Sequence, residues 1–160
     1  MIVAIDHERS QGSERLTTDY NIALMVGAGL SFTAALLHLG VIAGGPAWYD
    51  RLGAGKRFVR AAEAGKRYPA IITLGIAAVL TGFGVYALSG AGVVPPLPTL
   101  RPALCAITLC YLVRGIAGPV ALRGSGRSPR FIWVSSGICL IYGVSHGIGL
   151  AQVWDLIGQR

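Results

Sequence analysis

The chain has 160 residues, of which 53% are hydrophobic and 13% charged, and its mean hydropathy is +0.60. About 25% charged is usual in a soluble domain, so half that charge excludes an ordinary soluble fold, and the apolar excess excludes disorder. The net charge of +7, from 14 Lys and Arg against 7 Asp and Glu, would suggest nucleic acid on a soluble protein; its placement along this chain reads differently.

Residues 1–21 carry Asp6, His7, Glu8, Glu14 and Asp19. A cleavable signal needs a basic start followed directly by an apolar run, so this segment reads as a polar tail. Four apolar runs follow, at about 22–43, 69–89, 100–120 and 131–151. Each is close to the ~20 residues that a membrane-spanning helix needs. The expectation is one all-α membrane domain over 22–160, a polytopic four-helix transmembrane bundle.

The first connection, 44–68, is basic, with Arg51, Lys56, Arg57, Arg60, Lys66 and Arg67. Trp48, Leu52, Phe58, Val59 and Ala62 can line one side of it, so it is expected as a basic loop or helix lying in the interface after the first span. The second connection, 90–99, holds Pro95, Pro96 and Pro98 and predicts a rigid turn. The third, 121–130, is rich in Gly and Ser and carries Arg123, Arg127 and Arg130. Nine bases in the first and third connections face four on the other side (Arg9, Arg15, Arg101, Arg160), with Arg114 inside a span. Lys and Arg favour cytoplasmic loops, so both connections are expected in the cytoplasm and both termini outside it. A bacterial inner (plasma) membrane is the expected location.

Gly occupies 23 positions, about twice its usual share. Helices in lipid associate through close packing, which small residues permit. Ser135, Cys139, Gly143, Gly147 and Ala151 make such a row on the fourth span, and Gly27, Ser31 and Ala35 make one on the first. On the third span Ala106, Cys110 and Gly118 share a row with Arg114, which is therefore expected to point into the bundle.

An Arg inside a span is costly and marks a candidate site. At 1.5 Å per residue, Arg114, His38 and Thr73 come to a similar depth. They form a candidate ligand-binding cluster in the inner leaflet. Tyr86, Tyr142 and His146 form a second polar cluster near the outer leaflet, with Gln152 and Asp155 just beyond. A bis-His haem is not expected, because His38 and His146 differ by ~16 Å in depth. His and carboxylates do not cluster as metal ligands, and Gly53-Ala54-Gly55-Lys56-Arg57 lacks the spacing and the Ser or Thr of a phosphate loop. The sequence calls for no metal, no cofactor, no catalytic residue and no nucleic acid. Its partners are expected to be the bilayer, anionic lipid headgroups, and other membrane subunits or further copies of the chain. The functional expectation is a small non-enzymatic accessory or assembly subunit. A lipid, quinone or other small-ligand protein using the Arg/His cluster is the alternative, and a lipid-modifying enzyme a third.

Overall fold

A computed structural model describes residues 20–158; the remainder of the N-terminal tail and the last two residues lie outside the described residues. Among the described residues five helices follow one another: α1 (Ile22–Arg51), α2 (Lys56–Glu63), α3 (Tyr68–Gly90), α4 (Leu100–Ala121) and α5 (Pro129–Gly158). Among the described residues there is no strand. The four long helices are apolar enough to cross a membrane, and α2 is the helical part of the basic connection.

Local chemistry sets the helix ends. The Asn21 side chain accepts from the Leu24 N–H at 2.8 Å, a standard N-cap. Pro69 sits in the first turn of α3 and Pro129 opens α5, where the missing N–H is no loss. Ser128 accepts from the Phe131 N–H at 3.2 Å. In the Pro-rich turn the Ser89 hydroxyl donates to the Pro95 carbonyl at 3.0 Å and accepts from the Leu97 N–H at 2.9 Å. Those bonds fold residues 91–99 back onto the end of α3.

Two helices outrun their apolar segments. α1 runs on to Arg51 through a kink at Gly45, whose φ of 64° and ψ of −154° leave the helical region just before Pro46. Gly accepts that backbone at no steric cost, and Pro46 starts the last turns. α5 continues past Ala151 to Gly158, carrying Gln152 and Asp155 on the helix rather than in a tail. In α5 the loss of apolarity ends the span without ending the helix.

The order around the bundle is α1, α3, α4, α5, and α5 closes back on α1. Asn21 ties one end together: its N–H donates to the Ala91 carbonyl at 3.1 Å and its side-chain amide donates to Gln152 Oε1 at 2.8 Å. At the same end the Arg101 guanidinium lies 3.6 Å from the centre of the Trp154 ring. At the opposite end Arg127 donates to the carbonyls of Gly53 (3.0 Å) and Ala54 (3.2 Å), joining the third connection to the first. Both basic connections therefore occupy one end of the bundle, and the described chain begins and stops at the other.

The core is a narrow apolar seam that includes Leu24, Ala28, Leu80, Ala87, Leu104, Ile107 and Leu150. Only 28–33% of each spanning window is buried within the chain, and large apolar side chains such as Ile22 (74%), Ile71 (66%) and Ile116 (70%) stand exposed. Soluble monomers do not tolerate apolar surface on that scale. Its natural solvent is lipid, and the protein is a membrane-spanning helix bundle.

One expected orientation is corrected. Ala106 and Cys110, placed inward by their small-residue row, are exposed, whereas Leu104, Ile107, Thr108, Tyr111 and Gly115 form the buried face of α4. Gly118 is buried and Arg114 half-buried. Size does not decide the matter, because Leu109, Val113, Ile116 and Val120 of the same helix are exposed while Gly115 and Gly118 are buried. With lipid outside, burial gives the small ones no preference.

Candidate functional site

The small-residue rows of α1 and α5 meet other helices of the same chain. A Cβ on Gly27 would stand 2.8 Å from Cε1 of His146, and one on Gly143 would stand 2.7 Å from Leu112 Cδ2 and 3.0 Å from its backbone nitrogen. A Cβ on Gly147 would meet Thr108 at 3.4 Å. Ala35 is buried, Ser135 and Cys139 are half-buried, and Ala151 is exposed.

This close approach builds a polar and aromatic centre in the half of the bundle that holds Asn21. His146 is fully buried, and its Nδ1 lies 2.8 Å from the Tyr142 carbonyl. A carbonyl only accepts, so Nδ1 carries the proton and Nε2 is left as an acceptor. Among the described residues Nε2 has no hydrogen-bond partner, and neither has the buried Thr108 hydroxyl. The Tyr111 ring lies 5.2 Å from the His146 ring, 5.3 Å from Tyr142 and 5.6 Å from Phe83, the two Tyr–aromatic pairs edge to face, an arrangement that suits aromatic quadrupoles. Ser31 donates to the Gly27 carbonyl at 2.9 Å and is 2.9 Å from the Tyr111 hydroxyl. Its single proton being used on Gly27, Tyr111 donates to Ser31. The resulting relay, Tyr111 to Ser31 to Gly27, crosses the bundle between the diagonal helices α4 and α1.

Of the second expected cluster, then, Tyr142 and His146 are joined through the Tyr142 carbonyl. Tyr86 is elsewhere, its hydroxyl donating to the Pro98 carbonyl at 3.4 Å. Sequence reasoning missed Tyr111. Its signal was a tyrosine in the middle of a span, far from the interfacial zone that tyrosine prefers.

The three residues expected as a ligand cluster each bond elsewhere. His38 Nδ1 donates to the Ala34 carbonyl at 2.7 Å. Thr73 donates to the Pro69 carbonyl at 2.8 Å and accepts from the Tyr49 hydroxyl at 3.3 Å. Arg114 Nη1 and Nη2 donate to the hydroxyls of Ser136 and Ser135, at 3.3 Å each. No hydrogen bond among the described residues links the three.

Arg114 is the residue with unfinished electrostatics. It lies seven residues before the end of α4 at Ala121, about 10 Å along the axis. Gly118, one turn on, gives the guanidinium its room, because a Cβ there would strike Nη1. Two neutral hydroxyls do not balance a formal charge, and from residue 64 to residue 154 the chain has no Asp or Glu. Arg114 borders an open groove of about 570 Å³ on the lipid side of α4, lined also by Ala106, Cys110, Val113, Ala117 and Gly118. The groove is apolar and shallow, its small side chains flanked by Leu109, Val113 and Leu122, with one cation at its edge.

Among the described residues no three His, Cys, Asp or Glu side chains gather as a metal site. Compared with known proteins, the chain matches no family model, no curated protein and no solved structure.

Proposed function

We propose that the protein is a non-enzymatic accessory or assembly subunit of a bacterial inner-membrane complex, and that it holds its partner through the outer face of α4. The observation that carries this reading is Arg114, a guanidinium within a span that among the described residues hydrogen-bonds two serines alone, in a stretch from 64 to 154 that has no acidic residue. A desolvated cation seeks an anion. A second copy of this chain offers none at that depth, so the occupant is a different membrane helix with an Asp or Glu in its span. The small residues of the groove let that helix approach closely. Gly27, Gly143 and Gly147 meet other helices of the chain, whereas the small residues beside Arg114 on α4 line an outward-facing groove. In this reading the basic end is cytoplasmic, by the excess of Lys and Arg there, and both termini lie on the other side.

Ligand binding by His38, Arg114 and Thr73 together has less support, because each already has a different partner.

A photoreactive residue at Ala117 tests the proposal in native membranes. The expected result is a crosslink to one helix with an intramembrane carboxylate, lost both in Arg114→Gln and when that carboxylate becomes its amide. An unchanged complex in Arg114→Gln, or a chain that purifies alone without a crosslink, refutes it.

A further inference from the structure

The basic end contains a second feature, independent of α4. Where α2 leads into α3, a cleft of about 450 Å³ is lined by Arg57, Arg60, Ala61, Ala64, Lys66 and Tyr68, with no carboxylate in its wall. Its shape is built in. The Phe58 ring is held between Tyr49 (6.4 Å) and Tyr68 (5.8 Å) and Ala61 is buried, which fixes α2 against the bundle. Arg57 and Arg60 lie one helical turn apart and so share a face, and the chain returns through Lys66 to bring Tyr68 alongside. Three exposed cations line one open depression. Beyond Tyr68 the first turns of α3 expose Ile71 (66%), Ile72 (46%) and Leu74 (55%). These begin about 5 Å along the axis from Tyr68. A basic cleft set one turn from an apolar helix face fits the two halves of a membrane lipid.

We infer that this cleft binds the phosphate headgroup of an anionic lipid, a phosphomonoester above all, with the acyl chains lying along Ile71, Ile72 and Leu74. A phosphomonoester carries about −1.5 to −2 charge at neutral pH, which three bases match better than they match a zwitterionic headgroup. Basic pockets at the ends of membrane helices recognise headgroups in this way. The cleft differs in kind from the diffuse attraction of a basic loop, because it depends on named side chains rather than on total charge.

The test uses the full chain in detergent micelles, where orientation in a membrane has no influence, and native mass spectrometry with added phosphatidic acid, phosphatidylcholine or inorganic phosphate. The expected result is retention of phosphatidic acid over phosphatidylcholine by about tenfold or more, each base contributing roughly fivefold. Arg60→Gln/Lys66→Gln should abolish that preference. Arg123→Gln/Arg130→Gln, which removes the same charge from the third connection, should keep it. If the first pair lowers helix content, Lys66→Gln against Lys66→Arg carries the comparison, with loss expected only in the former. Equal loss in both double variants, or none in either, overturns the inference. So does full displacement of phosphatidic acid by equimolar inorganic phosphate, which would make this a site for free phosphate.

Discussion

Gly27 offers a sharp test of the packing described above. A Cβ there would lie 2.8 Å from Cε1 and 2.9 Å from Nδ1 of His146. Carbon atoms rest about 3.5–4.0 Å apart, so an alanine must push the ring or the helix away by roughly 0.7 Å. The ring cannot yield cheaply. It is fully buried, Nδ1 is tied to the Tyr142 carbonyl at 2.8 Å, and Tyr111 stands 5.2 Å from it. Overpacking of this kind costs about 1–3 kcal/mol, set against at most about 1 kcal/mol gained by replacing a helical Gly with Ala. Gly27→Ala should therefore be destabilised by about 1–2 kcal/mol. Gly29, two residues away, has nothing within 4 Å of its Cβ position, so Gly29→Ala should be neutral or slightly stabilised. The assay is reversible unfolding in mixed micelles, followed by far-ultraviolet circular dichroism. Combining Gly27→Ala with His146→Ala should give a smaller loss than the two single losses added, with a coupling of about 1 kcal/mol. A Gly27→Ala protein as stable as Gly29→Ala, or strictly additive losses, would refute the close α1–α5 contact.

Further outcomes follow from other contacts. Tyr111→Phe removes the hydroxyl that donates to Ser31 and should cost about 0.5–1.5 kcal/mol, toward the lower end if it follows hydrogen bonds measured in membranes. Ser31→Ala added to it should cost little more, since one relay is broken once. Arg127→Ala frees the carbonyls of Gly53 and Ala54; trypsin should then cleave at Lys56 and Arg57 several-fold faster, and an unchanged rate would count against the joined connections. In a chain with Cys105, Cys110 and Cys139 replaced by Ala, thiols at Ala64 and Ser125 should react with an impermeant reagent from one side of a membrane and a thiol at Gly92 from the other. Labelling of all three from one side would contradict the bundle topology.

The spans were legible because about twenty apolar residues in a row have few other destinations. Their ends were less so: a short helical piece follows the first span beyond the kink at Gly45, and α5 continues through Gln152 and Asp155, where backbone hydrogen bonding outlasts the hydrophobic run. Faces were the least legible part. In water, apolar residues identify the buried side of a helix, but in lipid both sides are apolar. Apolarity then does not separate Tyr111, inside, from Cys110, outside. The two serines that meet Arg114 were within reach of a simple count. Counting inward from the two helix ends brings Ser136 to within a turn of Arg114; it lies level with Gly118, and the long Arg side chain reaches down that turn. The contact of His146 with Tyr111 had no such handle, since their helices fix it only through the glycines that let them close.

The proposed docking of a partner helix on α4 is tested most directly by the mass of the assembly released from native membranes, compared between the unmodified chain and Arg114→Gln. The unmodified chain should leave the membrane bound to a second protein, and Arg114→Gln should leave it as the bare 16.7 kDa chain. The same mass for both, whether lone or complexed, would contradict a partner held by the Arg114 charge.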